Sequence, residues 1–147
     1  QLKKIKSGSV QKPSAINTPR RCPVGWKMYC KRCFLYVSQA LSWAQAQKNC
    51  EQMKANLASV HSYREHKFIR RLICRATRQC KPTWLGGSDN YNWTWIDGTN
   101  FRYTNWCHGK PSNNYGHCLE MNFSAKKCWN GVFCSCLRPS VCVKKIW

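Results

Sequence analysis

The pattern of apolar and polar positions changes character near Pro82. Before it, turn residues alternate with aromatics from Cys22 to Val37, which predicts a hairpin ending in a strand at Phe34-Leu35-Tyr36-Val37. Ser42 with Gln45 three residues on is a capping box, and it predicts a helix running to about Met53. Trp43, Ala46 and Cys50 recur at helical spacing and mark its inner face. Ser62 with Glu65 repeats the box and predicts a second helix from Tyr63 to Ala76. After Pro82 the helical period is lost. Trp84-Leu85-Gly86, Trp93-Thr94-Trp95-Ile96, Leu119 to Phe123, Val132 to Cys134 and Val141 to Val143 read as short strands. Turns are expected at Gly87-Ser88-Asp89-Asn90 and Asp97-Gly98, and a long polar loop from Asn105 to Gly116. Two helices followed by short strands and long loops indicate an α+β domain.

The second helix carries the sharpest functional signal. At about 100° per residue, Arg64, Lys67, Arg71, Arg75 and Arg78 fall within about 40° of one line. Phe68, Ile69, Leu72, Ile73 and Ala76 lie on the neighbouring face and are expected in the core. A solvated helix face normally mixes charge signs to gain i,i+4 pairs, yet only Glu65 is at hand here. The stripe is therefore a candidate anion-binding face.

Charge and cysteine content extend this reading. The 147 residues are one domain's worth, and 25 Lys and Arg against 5 acids give a formal net charge of +20. Solubility needs only about 2 to 8 net charges on a small domain, so polyanions are the expected partners. Residues 1–21 hold Lys3, Lys4, Lys6, Lys12, Arg20 and Arg21 with little apolar pattern, and are expected to form a basic flexible tail before a compact domain at 22–147. Twelve cysteines exceed what a reducing compartment favours. Cys30 and Cys33 have a zinc-like spacing, but the scatter of the others suits a disulfide framework. Asn92-Trp93-Thr94 and Asn122-Phe123-Ser124 are N-glycosylation sequons, which agrees with secretion or a granule lumen. No stretch has the ~18 apolar residues of a membrane span, and a start at Gln1 reads as a processed chain.

Several segments in order resemble the C-type lectin-like domain. They include Cys22-Pro23-x-Gly25-Trp26, Leu41-Ser42-Trp43-x-x-Ala46-x-x-x-Cys50, Asn56-Leu57-Ala58-Ser59-Val60, Trp84-Leu85-Gly86-Gly87 and Trp95-x-Asp97-Gly98. Cys118-Leu119-Glu120-Met121, Trp129-Asn130, Cys134 and Val141-Cys142 continue the match. Within that family the chain resembles a soluble fish group with ladderlectin-like and type II antifreeze-like members, and its basicity is similar to that of eosinophil major basic protein. The resemblance implies a disulfide-stapled fold of two helices, short antiparallel sheets and a long loop region. It implies bridges Cys22–Cys33, Cys50–Cys142 and Cys118–Cys134, and the antifreeze-like members add Cys107–Cys128. Cys74 and Cys80 can close a local loop, leaving Cys30 for Cys136, or either of these for a second copy of the chain.

The family's calcium-dependent sugar site uses carboxylate and amide oxygens, since calcium takes about six to eight hard ligands. Its Glu-Pro-Asn tripeptide aligns with Lys110-Pro111-Ser112, its Trp-Asn-Asp with Trp129-Asn130-Gly131, and the acid before Cys118 is replaced in Tyr115-Gly116-His117. Lys110, Pro111, Ser112, Asn130 and Gly131 thus form a degenerate calcium site, and no metal or other cofactor is expected. His61 and His66 read as structural or surface groups, and His108 and His117 flank the long loop with no third ligand at metal spacing. No nucleophile motif accompanies them, so the chain is not expected to be an enzyme. Trp26, Trp43, Trp84, Trp95 and Trp106 fall at family core positions, while Tyr91, Trp93 and Tyr115 are placed to stack on a ligand. The expected function is calcium-independent binding of anionic glycans or microbial and cell surfaces, an anionic membrane surface included, in defence or matrix attachment, without specific nucleic-acid recognition. The competing classes are a self-assembling or mineral-associated protein, a membrane-damaging protein, an ice-binding protein, and a calcium-dependent lectin.

Overall fold

Ser42 and Ser62 start the two helices of the computed structural model, which describes residues 21–112 and 116–146. The expected flexible tail lies outside the described residues apart from Arg21. Strands β1 (Lys27–Tyr29) and β2 (Arg32–Leu41) form the first hairpin, and α1 (Trp43–Gln52) follows. Next come β3 (Asn56–Leu57), α2 (Tyr63–Thr77), β4 (Thr83–Asn90) and β5 (Asn92–Trp95). The chain closes with β6 (Cys118–Phe123), β7 (Cys128–Val132) and β8 (Arg138–Lys145). The sheet runs β1-β2-β8-β4-β6-β7, with β3 on β8 and β5 on β4. Among the described strands all pairings are antiparallel except the bridge from Trp84 on β4 to Ser140 on β8, and an isolated parallel bridge joins Trp106 of the long loop to Trp129 on β7.

Both caps have a physical reason, and they differ. At α1 the box is complete, with Ser42 Oγ accepting the Gln45 N–H and Gln45 Oε1 accepting the Ser42 N–H. At α2 only half of it forms. Ser62 Oγ accepts the Glu65 N–H at 3.1 Å, but the Glu65 carboxylate accepts the His61 N–H at 2.9 Å and the Arg32 guanidinium at 2.5 Å. A charged partner makes a stronger bond than the neutral N–H of Ser62, so the long-range contact wins. Sequence spacing is corrected elsewhere too. The turn expected at residues 87–90 is strand, because β4 continues to Asn90 in register with β5 and reverses at Tyr91, whose φ is 76°.

Two apolar clusters hold the layers together. Ile69 and Ile73 of α2 pack on Phe34, Leu85, Leu119, Met121 and Val141. Ala46 and Cys50 of α1 pack on Leu57, Trp84 and Cys142. Phe68 and Leu72 are only half-buried and Ala76 is exposed, so the inner face of α2 is narrower than its apolar pattern suggests. Indole N–H groups stitch the clusters, with Trp43 donating to the Leu85 carbonyl and Trp84 to the Leu41 carbonyl, each at 2.9 Å.

His66 is the buried polar group that couples α2 to the long loop. The Trp129 indole N–H donates to its Nδ1 at 3.3 Å, which leaves the proton of the neutral ring on Nε2, and the Asn105 side-chain amide lies 3.0 Å from Nε2, where its oxygen must face the ring to accept. Burial, with Arg70 adding to it, pushes the His66 pKa down to about 4. Below the ordinary value of ~6.5 the unfolded chain takes up a proton that the folded chain refuses, so stability falls with pH down to about 4. Between pH 7 and pH 4, the wild type is expected to lose about 3 kcal/mol more than His66→Gln, read from denaturant midpoints. Parallel curves for the two proteins would remove His66 from this role.

Candidate functional site

Helix α2 presents its cations to solvent without a compensating acid. Arg64, Lys67, Arg71 and Arg75 are all exposed on it. Arg78 is exposed as well, but it is the left-handed C-cap (φ 58°) and leaves the helical phase that sequence spacing assigned to it. Glu65 is the one acid on the helix and is turned inward to Arg32. The other acids are also engaged away from α2. Asp97 faces Arg32, Ser59 and Thr99, Glu120 binds Arg138, Asp89 meets His117, and Glu51 accepts from Gln47. Arg32, Arg138 and His117 pair with these acids, and none of the three is on α2.

The helix dipole sharpens the point. Arg75 in the last turn is favoured there, but Arg64 in the first turn opposes the partial positive charge of the N-terminus. Arg64 therefore works against helix stability, and an anion drawn to the face would relieve it. Hollows among the described residues flank the helix. Tyr29, Arg64, Lys67, Phe68 and Arg71 line one of about 210 Å³. Lys67, Arg70 and Arg71 beside Cys74 and Cys80 line a second of about 280 Å³. A larger groove of about 610 Å³ lies between α2 and the β1–β2 hairpin. Arg70 and Lys27, which enter these hollows, were not assigned from sequence. Arg70 is off the helical line, and Lys27 reaches the helix only through the hairpin.

The long-loop site is closed by packing as well as by substitution. A side chain at Gly116 would meet the Val132 backbone carbonyl carbon at 1.8 Å. One at Gly131 would meet the Gly116 carbonyl oxygen at 2.9 Å and the Trp93 ring at 3.3 Å. Neither position has room for a carboxylate. Asn130 is buried, its Nδ2 donating to Glu120 Oε2 at 3.2 Å, and Glu120 Oε1 already accepts from Arg138 Nε at 2.9 Å. Lys110 precedes a cis bond to Pro111, and its ammonium lies 5.8 Å from the Phe123 ring centre. Pro111 and Ser112 are half-buried. This donor set does not fit calcium: one carboxylate is neutralised by a guanidinium, and one amide is too little for a hard cation. No group of three or more His, Cys, Asp or Glu that could hold a metal occurs among the described residues.

Other expectations divide. The structure contains the bridges Cys22–Cys33, Cys50–Cys142, Cys74–Cys80, Cys107–Cys128 and Cys118–Cys134. The expected Cys30–Cys136 bridge is absent and both thiols are free. Cys30 sits exposed in the tight turn between β1 and β2, with Cys30 and Lys31 both at positive φ, while Cys136 packs beside α1. Asn92 is exposed, but Asn122 is 1% exposed and donates to the Lys81 carbonyl at 3.2 Å, so it is no glycan acceptor in the folded chain. Trp93 is not a free stacking platform, because it packs edge-on against Trp106 with ring centres 4.9 Å apart. Tyr91 is fully exposed, Tyr115 lies outside the described residues, and His61, His108 and His117 are exposed.

Comparison with known proteins agrees with this architecture. The family model for the lectin C-type domain matches residues 39–144. The chain is 41% identical to a type-2 ice-structuring protein of Osmerus mordax over 127 residues, 84% of this chain and 71% of that one. It is 35% identical to ladderlectin of Oncorhynchus mykiss over 94% of this chain and 75% of that one. Among solved structures it is similar to herring type II antifreeze protein, with a TM-score of 0.80 at 38% identity, covering 86% of this chain and all of that one.

Proposed function

Because the chain belongs to the C-type lectin domain family, a family of non-enzymatic binding proteins, we propose that it is a secreted, calcium-independent binder of anionic glycans and polyanionic surfaces, acting in defence or matrix attachment. The binding face is α2, through Arg64, Lys67, Arg71 and Arg75, with Arg78 at its end. One observation carries this reading: the five acidic side chains are all engaged elsewhere, so no acid among the described residues offsets the repulsion between the helix cations. The packing at Gly116 and Gly131 supports the calcium-independent part. Among the described residues, no helix is long and apolar enough to cross a membrane.

The test is heparin affinity measured against salt concentration, with and without EDTA. For duplex DNA the log–log slope is about 0.9 per neutralised phosphate, and heparin condenses counterions in the same way. Arg71→Gln with Arg75→Gln is expected to lower the slope by one to two units, shift Tm by less than about 2 °C, and leave EDTA without effect. Gln keeps helix propensity near that of Arg, so a binding change is not a folding change. Deleting residues 1–21 is the control. If that deletion abolishes binding while the double variant binds normally, the α2 reading fails. Thermal hysteresis of ice growth is expected to be absent, because a face dominated by cations differs from the weakly charged surface that ice requires.

A further inference from the structure

The groove between α2 and the β1–β2 hairpin is a different kind of site from the rest of the cationic face. Its inner wall is apolar, with Leu35 from β2 and Phe68 and Leu72 from α2 all half-buried, and Met28 of β1 at 54% exposure. Cations stand along its edge, with Lys27 on β1 and Arg71 and Arg75 on α2, all exposed. At about 610 Å³ it falls in the size range that takes one small molecule. We propose that this groove binds a single-chain anionic amphiphile, with its acyl chain against Met28, Leu35, Phe68 and Leu72 and its carboxylate or other anionic head held by Lys27, Arg71 and Arg75.

Charge and polarity select this occupant. A sulfated or carboxylated sugar polymer satisfies the rim but has no apolar part for the floor. An apolar ligand without charge covers the floor but leaves the cations uncompensated. Residues 1–21 of the same chain carry Lys3, Lys4, Lys6, Lys12, Arg20 and Arg21 and no acid, so the rim repels them. A second copy at a net charge of +20 is repelled for the same reason. The site shares Arg71 and Arg75 with the polyanion face and rests on that reading only for its head group.

Calorimetric titration of the full chain with octanoate, decanoate and dodecanoate, below their micelle-forming concentrations, tests the assignment. Affinity is expected to rise about three- to fourfold per added methylene, with one molecule bound per chain. Leu72→Gln is expected to weaken dodecanoate at least tenfold while leaving the salt slope for heparin unchanged. Met28→Gln, at a position whose exposure cannot threaten folding, is expected to weaken it severalfold. Lys27→Gln should weaken dodecanoate but not the uncharged alcohol of equal length. Affinity independent of chain length, or floor variants that bind dodecanoate as the wild type does, would overturn the proposal. One-to-one dodecanoate binding without heparin binding would instead overturn the polyanion reading and leave the groove standing.

Discussion

Replacing Cys50 and Cys142 together by Ala is expected to lower the unfolding free energy by about 4–5 kcal/mol and Tm by about 10–20 °C. The bridge spans a sequence separation of 92 and is the widest loop closure in the framework. In the chain-entropy description, closing a loop of that length removes far more freedom from the unfolded chain than closing a short one. It also ties α1 to β8, the strand that pairs with β2, β3 and β4. Both sulfurs are fully buried, so the paired Ala variant loses packing in the α1 cluster as well. Cys74 and Cys80 give the internal comparison, with a separation of only 6. Their paired replacement is expected to cost about 2 kcal/mol. Guanidinium midpoints for the two variants measure both losses, and equal losses would show that loop length does not set what each bridge contributes.

What the sequence revealed depended on how far apart the deciding residues lie. The α1 cap was legible because Ser42 and Gln45 satisfy each other within three residues. The α2 box was half legible, because Glu65 had a competitor in Arg32, 33 positions away. The cationic line on α2 came directly from helical periodicity, yet its last member, Arg78, falls where the helix has already turned left-handed. The groove was not legible, since Lys27 and Met28 belong to a three-residue strand that meets α2 only through the fold. Asn122 shows the same limit. A sequon is a local signal, and its burial is set by Lys81, 41 positions away. Gly116 and Gly131 could be noticed only as missing acids; that there is no space for those acids comes from the approach of β7 and the Trp93 ring.

The buried Glu120 is where the second large loss is expected. Its side chain is 2% exposed, and its charge is matched by Arg138, whose side chain is 30% exposed. Arg138→Ala leaves a buried carboxylate with the Asn130 amide as its one hydrogen-bond donor among the described residues. Removing one partner of a buried pair typically costs about 3–5 kcal/mol, and the partial exposure of Arg138 places this case near the lower figure. Adding Glu120→Gln to that variant removes the stranded charge, so the double variant should recover most of the loss. A double variant as unstable as Arg138→Ala alone would show that Arg138 acts through packing. Calcium provides the decisive contrast with a family-type site. Arg138→Ala frees Glu120 Oε1, beside the Asn130 amide oxygen, which is already buried without a hydrogen-bond partner among the described residues. That supply falls well short of the six to eight oxygens calcium takes, and Gly116 and Gly131 offer no room for more. Millimolar calcium is therefore expected to leave the variant's melting temperature unchanged. A calcium-dependent rise would mean that Arg138 occupies the place of a cation which the surrounding oxygens can still hold.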